Sequence, residues 1–306
     1  MKTTHFFYST PFIVLVFFQL SCAHLSKHQM IADQQDDYFV EPYDFSPYPS
    51  ASQRQPSGIV YQYRNDDRSC DGFPQLPITS FDGSCVGLAL DSSTAPSLLM
   101  PRKIIQLPDS DDFLLVDMGG WSAGKGKVYR LSKGNGNRLT ATAIITKLNS
   151  PHDIEIGPDG KIYVGEIGRI FRFDYRSNQP QPESVILNFP KPTANQNHLH
   201  PLVNFSFGKT AQDMWDIYAN VGSASDACKT AAPGRCPEVE TKDFAAVWKF
   251  KYLGNGQWNK QKQVFARGLR NSMALEAHTS GVILQAENAR DLKSKDEPFE
   301  ELNVLT

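Results

Sequence analysis

The chain carries little net charge, few cysteines and no long apolar run. Lys and Arg number 31 against 33 Asp and Glu, a formal balance of −2. No basic stripe or run interrupts that balance, so electrostatics give no case for a nucleic-acid partner. The most apolar stretch, Phe12 to Phe18, is too short to span a bilayer. The 5 cysteines include no C-x-x-C pair, which argues against a four-thiolate zinc site.

What is present favours strands. A 40% hydrophobic content over 306 residues supports a sizeable core, and 19 Phe and 11 Tyr among 21 Gly and 20 Pro suit strands and turns better than helical bundles. At the N-terminus, Lys2, the apolar run and the small residues Ser21 to Ala23 have the layout of an export signal over 1–23, cleaved after Ala23. A lipoprotein box around Cys22 is the alternative, with Gln19 where an aliphatic residue is usual, and a buried N-terminal helix is the plain one. The expected location is therefore secreted or periplasmic, or lipid-anchored to a membrane through Cys22. Apart from Cys22, the cysteines are Cys70, Cys85, Cys228 and Cys236, an even set suited to an oxidising compartment. Three pairings are open; Cys70 with Cys85 and Cys228 with Cys236 close the shortest loops. Residues 24–57 are polar and proline-rich without a sustained period and read as a tether, leaving 58–306 as the folded domain.

The most regular stretch is 148–173, LNSPHDIEIGPDGKIYVGEIGRIFRF. Ile154 and Ile156 alternate with Asp153 and Glu155, Ile162 and Val164 with Lys161 and Tyr163, and Ile170, Phe171 and Phe173 supply a third β-rich run. Pro158-Asp159-Gly160 turns the first strand into the second, and Gly168 marks the next reversal. Such a meander cannot bury both faces alone, so it predicts copies stacked beside it. Degraded copies occur at 102–131, at 201–222 with a third strand at 245–252, and at 272–288. Their second strands centre on Leu115, Val164, Ala219 and Gln285, at spacings of 49, 55 and 66 residues. The fold class is therefore all-β, a β-propeller of about four blades with loop insertions, preferred over a β-sandwich because the strand, turn, strand, glycine, strand order recurs.

Three stretches are more polar than a scaffold needs. NQNHLHPL places His198 and His200 before a blade's first strand, where a neutral imidazole can take a proton from a hydroxyl; solvated loop histidines are the plain alternative. Arg270-Asn271 stands at the equivalent point of the next blade and offers a charged fork and an amide, against the plain reading of a surface ion pair. The acidic stretch holding Glu287, Asp291, Glu297, Glu300 and Glu301 suits calcium or is a solvated loop. His152 stands at a blade entrance and is a further candidate to face the channel.

Taken together, LNSPHDIEIGPDGKIYVGE, HLHPLVNFSFG with DIYANVGSASDAC, FARGLRNSMAL, and the ENARD and DEPFEELN segments resemble the glucose/sorbosone dehydrogenase family, nearest in flavour to its bacterial sorbosone-dehydrogenase-like branch. The likeness covers about 95–306. It implies a six-bladed propeller that binds pyrroloquinoline quinone and calcium and oxidises an aldose or related sugar, passing hydride to the quinone and then electrons to an acceptor the sequence does not name. It further implies His200 as the base, Arg270 and Asn271 on the quinone, and the carbonyls of Ala289 and Arg290 on the calcium. Two positions depart from the family pattern: Leu199 stands where glucose-oxidising members have aspartate, and Ala289-Arg290 where they have Gly-Pro. Four blades fall short of six, so the expectation is an incomplete propeller, C-terminally truncated. The rival expectations are a cofactor-less propeller binding a carbohydrate or surface partner and, last, a calcium-dependent lactonase.

Overall fold

The computed structural model describes residues 68–306 except 77, 79–82, 92–94, 96, 135–137, 192–199, 211, 226–241 and 289–299. The expected export signal, the tether, Cys22, His198, Leu199, Cys228, Cys236, Asp291, Glu297 and both expected calcium carbonyls, Ala289 and Arg290, lie outside the described residues. Those described belong to the unit Tyr63–Thr306.

Alternation of apolar and polar residues produces four antiparallel sheets, each a meander in chain order. The first comprises β3 (Pro101–Gln106), β4 (Phe113–Asp117), β5 (Gly126–Lys133) and β6 (Leu139–Leu148). The second comprises β7 (Asp153–Ile156), β8 (Ile162–Glu166), β9 (Arg169–Phe173) and β10 (Glu183–Leu187). The third comprises β11 (Phe205–Lys209), β12 (Trp215–Val221), β13 (Ala246–Gly254) and β15 (Gln263–Arg267), with the short β14 (Gln257–Trp258) also on β13. The fourth comprises β16 (Ser272–Ala277), β17 (Ile283–Glu287) and β18 (Glu301–Leu305). A two-stranded ribbon, β1 (Ser69–Cys70) with β2 (Phe73–Pro74), precedes them and is stapled by the Cys70–Cys85 disulfide.

This is the expected β-propeller arrangement, with the expected four copies among the described residues. The expected three-strand unit needs one correction, because β6, β10 and β15 add a fourth strand to three of the sheets. Those outer strands bury only a few residues, Ile145 and Leu148 on β6 and Val185 and Ile186 on β10, and otherwise lie partly or fully exposed. The turn at Pro158-Asp159-Gly160 forms as expected: Gly160 has φ of 71° and its N–H donates to the Gly157 carbonyl at 2.9 Å.

Each sheet-to-sheet contact is a separate apolar layer. Between the first and second sheets lie Leu114, Val116, Val128, Ile154, Val164 and Phe171. Between the second and third lie Tyr163, Ile170, Phe205, Ile217, Trp248 and Trp258. Tyr218, Val247, Leu275 and Ile283 join the third to the fourth. A polar bolt crosses the second layer: the buried Arg172 guanidinium donates to Asp159 at 2.7 Å, to Glu183 at 2.9 Å and to the Gly256 carbonyl of the third sheet at 2.6 Å. Trp258 Nε1 donates to Tyr163 Oη beside it at 3.1 Å.

Among the first strands β3 lies beside β7 and β11 beside β16, the Phe205 N–H of β11 reaches Asp153 of β7, and one device closes the loop into each of the four. The residue at the end of a sheet's second strand accepts a backbone N–H from that loop. Asp117 accepts from Met100 at 2.6 Å, Glu166 from Asn149 at 2.6 Å, Asn220 from Asn204 at 2.6 Å and Glu287 from Arg270 at 2.7 Å. These bonds gather four loops at one end of the sheets.

Removing the bolt strands its partners. Arg172→Ala is expected to cost roughly 3 kcal/mol, since Asp159 and the Gly256 carbonyl lose a buried cation. A melting or urea titration of the variant checks this, and an unchanged midpoint would show that the bolt adds no stability.

Candidate functional site

Of the residues expected to carry chemistry, the fold brings His200, Arg270 and Asn271 into one hydrogen-bonded cluster at the gathered end. His200, half-buried, ends the loop before β11, and its Nδ1 lies 3.0 Å from both the carbonyl and the Oγ of buried Ser223. Ser223 Oγ donates its own hydrogen to the Ser225 carbonyl at 2.5 Å, so towards the histidine it can only accept. Nδ1 therefore carries a ring proton. Gly222 makes this approach possible, because a Cβ there would collide with the Cβ and carbonyl of His200.

Ser223 also links His200 to the fourth sheet, since its N–H donates to the Arg270 carbonyl at 2.7 Å. The Arg270 guanidinium donates through Nη1 to the Asn288 carbonyl at 2.9 Å, and Asn288 N–H donates to the Asn271 carbonyl at 3.0 Å. Glu287, expected as a calcium ligand, accepts instead from Arg270 N–H and, at 3.2 Å, from Gln285 Nε2. Burial raises its carboxyl pKa, with the Arg270 N–H opposing the rise. Glu300 and Glu301 are exposed at the start of β18. Among the described residues no group of three or more His, Cys, Asp or Glu is arranged to hold a metal ion. A groove of about 370 Å³ opens beside Glu287 and Asn288, lined also by Met273, Ala286 and Leu302, and its lining does not include His200.

Beneath this cluster lies a buried polar layer. His152 is 6% exposed, and its Nδ1 lies 2.5 Å from Asn204 Oδ1. Asn204 Nδ2 donates to the Ser272 carbonyl at 2.5 Å, which turns Oδ1 towards the histidine and makes Nδ1 the protonated nitrogen there as well. His152 Nε2 is buried without a hydrogen-bond partner. Burial, assisted by Arg102 and Lys103, lowers the His152 pKa to about 4, with the Asn204 contact opposing. His152 is thus an interior neutral imidazole, and its place at a blade entrance was visible in the sequence. Asn204 and Ser223 were not singled out, because Asn and Ser are ordinary loop residues until the fold shows their partners.

A third polar group joins the first strands lower down. Lys103 of β3 contacts Asp153 at 2.7 Å and Glu155 at 3.0 Å on β7, and Asp153 accepts the Phe205 N–H of β11 at 2.8 Å. Burial pushes Glu155 up to about 8, against the pull of Lys103 and with Asp153 and Glu276 adding to the rise. Lys103, despite its burial, is carried up to about 12 by the two carboxylates.

No protein-family model matches the chain, and no curated protein matches it in sequence. Solved structures do resemble it. The holo pyrroloquinoline-quinone domain of pyranose dehydrogenase from Coprinopsis cinerea aligns with a TM-score of 0.52 at 18% identity, over 76% of this chain and 56% of that one. The quinone-bound aldose sugar dehydrogenase from Streptomyces coelicolor aligns at 0.34 and 13% over 74% and 86%. The α-L-arabinanase from Cellvibrio cellulosa aligns at 0.37 and 11% over 70% and 76%. At these identities the likeness is one of fold, and the chain spans little more than half of the pyranose dehydrogenase domain.

The carboxylates set a pH dependence. A Glu155 pKa raised from 4.5 to about 8 favours the native state fully below about pH 4.5, and that contribution is lost as the pH rises through about 8. Glu155→Gln is therefore expected to raise the melting temperature at about pH 9 and much less at about pH 5. Equal shifts at both would contradict the assignment.

Proposed function

We propose that the protein is an exported sugar dehydrogenase that uses pyrroloquinoline quinone, with His200 as the base and Arg270 and Asn271 on the cofactor. The observation that carries this reading is the fixed tautomer of His200 beside the Arg270 segment. A histidine whose Nδ1–H is held by two oxygens of Ser223 has its ring orientation fixed, which a base acting through Nε2 requires. Ser223 supplies the orientation that a carboxylate at the Leu199 position would otherwise give. The bound quinone would supply the hydride acceptor. Its acidic, electron-poor ring system suits the donor set here: the permanent charge of Arg270 opposes negative charge, and the Asn271 side-chain amide offers one donor and one acceptor.

Calcium fits the described residues less well. Glu287 accepts the Arg270 backbone N–H, and the expected carbonyls of Ala289 and Arg290 lie outside those residues, so no step is assigned to the metal. Export is supported by the Cys70–Cys85 disulfide. The substrate is proposed as a small aldose or pyranose, since a base and a cation at the gathered loops serve oxidation of a ring hydroxyl.

The engagement of the Arg270 Nη1 by the Asn288 carbonyl favours one second reading, a propeller that has lost its cofactor and binds carbohydrate or a surface partner through the same loops. Titration of the purified chain with the quinone, with and without calcium, separates the two. The dehydrogenase reading expects a bound-quinone absorbance band and reduction of an artificial acceptor by a sugar. His200→Ala is expected to lower turnover by about a hundredfold or more while moving the melting temperature little, because the side chain is half-buried. Full turnover in that variant would remove His200 as the base.

A further inference from the structure

We infer that Asn204 is a positioning residue that sets the His200 segment against the Arg270 segment across the third and fourth sheets. The inference rests on the reading of His200 and Arg270 just proposed and adds the device that holds them together.

All four hydrogen-bonding functions of Asn204 are engaged, and its partners lie on three different sheets. Its backbone N–H donates to Asn220 Oδ1 at 2.6 Å and its carbonyl accepts from Asn220 N–H at 2.9 Å, on the second strand of its own sheet. Its side-chain Nδ2 donates to the Ser272 carbonyl of the fourth sheet, and its Oδ1 accepts from His152 of the second. Each partner is a short step along the chain from a group of the candidate site. Asn204 itself follows His200 by four residues, Asn220 precedes Ser223 by three, and Ser272 follows Arg270 by two. A second bond, Asn220 Nδ2 to the same Ser272 carbonyl at 3.3 Å, closes the triangle. Asn204 is 3% exposed, so water cannot substitute for a lost partner.

The residue type is dictated by this geometry. Aspartate is isosteric but has no N–H, so one of its oxygens would face the Ser272 carbonyl and push the fourth sheet's loop away. Serine is too short to reach both sides. An amide accepts from an imidazole N–H and donates to a carbonyl in the same plane at every pH, which a carboxyl group does only when protonated. His152 is the support on the other side, its Nδ1–H donating to the Oδ1 that the Ser272 contact turns towards it.

The test uses the full chain and four variants, Asn204→Asp, Asn204→Ala, His152→Gln and His152→Leu. Nitrogen NMR of His200 in the protein without quinone reads its tautomer and needs no activity. The wild type is expected to show the Nδ1–H form alone, and both Asn204 variants a mixture of tautomers as Ser223 moves off Nδ1. His152→Gln, which keeps an N–H for Asn204, is expected to retain the wild-type signal, whereas His152→Leu is expected to lose it. With quinone and sugar, the Asn204 variants should lose about tenfold to a hundredfold in kcat with KM changed less than about threefold, the mark of misplaced groups. Lower melting temperatures with an unchanged His200 tautomer and unchanged kcat would overturn the inference and leave Asn204 a packing residue. Should Asn204→Ala fail to fold, the isosteric Asn204→Asp carries the same readouts. Should the wild type oxidise no sugar at all, the dehydrogenase reading fails, and the tautomer measurement by itself upholds or overturns the role of Asn204.

Discussion

Two adjacent buried groups, Asp153 and Asn204, hold the four sheets in register. Asp153 takes Lys103 from the first sheet and the Phe205 N–H from the third, while Asn204 takes His152 from the second and gives to Ser272 of the fourth. Apolar layers between sheets supply most of the attraction but little direction, since Val, Ile and Phe side chains pack nearly as well after a small slide. A buried donor or acceptor left without its partner costs about 1–3 kcal/mol, so a slide that breaks several such bonds is excluded. Register across the inner strands is thus a polar property laid over an apolar one.

The same economy appears within each sheet. Asp117, Glu166, Asn220 and Glu287 occupy equivalent ends of second strands and each accepts an N–H from the loop into its own first strand. A loop that runs over the surface would ordinarily be mobile, yet each of these four is anchored by a backbone N–H to its own sheet. That anchoring lets a single histidine and a single arginine, far apart in sequence, keep a constant relation.

The electrostatics of the inner rim follow from depth. His152 is kept neutral because charging it would place a cation in a buried site already flanked by Arg102 and Lys103. Glu155 is pushed the other way by the same desolvation, and Lys103 is held charged because two carboxylates face it. His200 differs from His152 in being half-buried, with a pair of oxygens at Nδ1. Two histidines in similar sequence settings thus have different environments, one as an interior prop and the other at the site.

Much of the architecture was legible in the chain itself. The alternation in 148–173, the Pro-Asp-Gly turn and the recurrence around Leu115, Val164, Ala219 and Gln285 determine strands, reversals and a fourfold repeat, because strand periodicity and turn chemistry are local. The outer strands β6, β10 and β15 were not legible, since the few residues they bury, such as Val185 and Ile186 side by side on β10, do not recur at the period of a half-buried strand. His200, Arg270 and Asn271 stood out by residue type at blade entrances. Their union through Ser223, and the part played by Asn204, came only from the tertiary structure. A hydrogen bond between residues 200 and 223 depends on how two loops close over one sheet, and one between 204 and 272 on where two sheets meet; no spacing along the chain encodes either. The sequence by itself determined which segments become strands and which loops carry polar groups; the packing of sheet on sheet decided which of those groups meet.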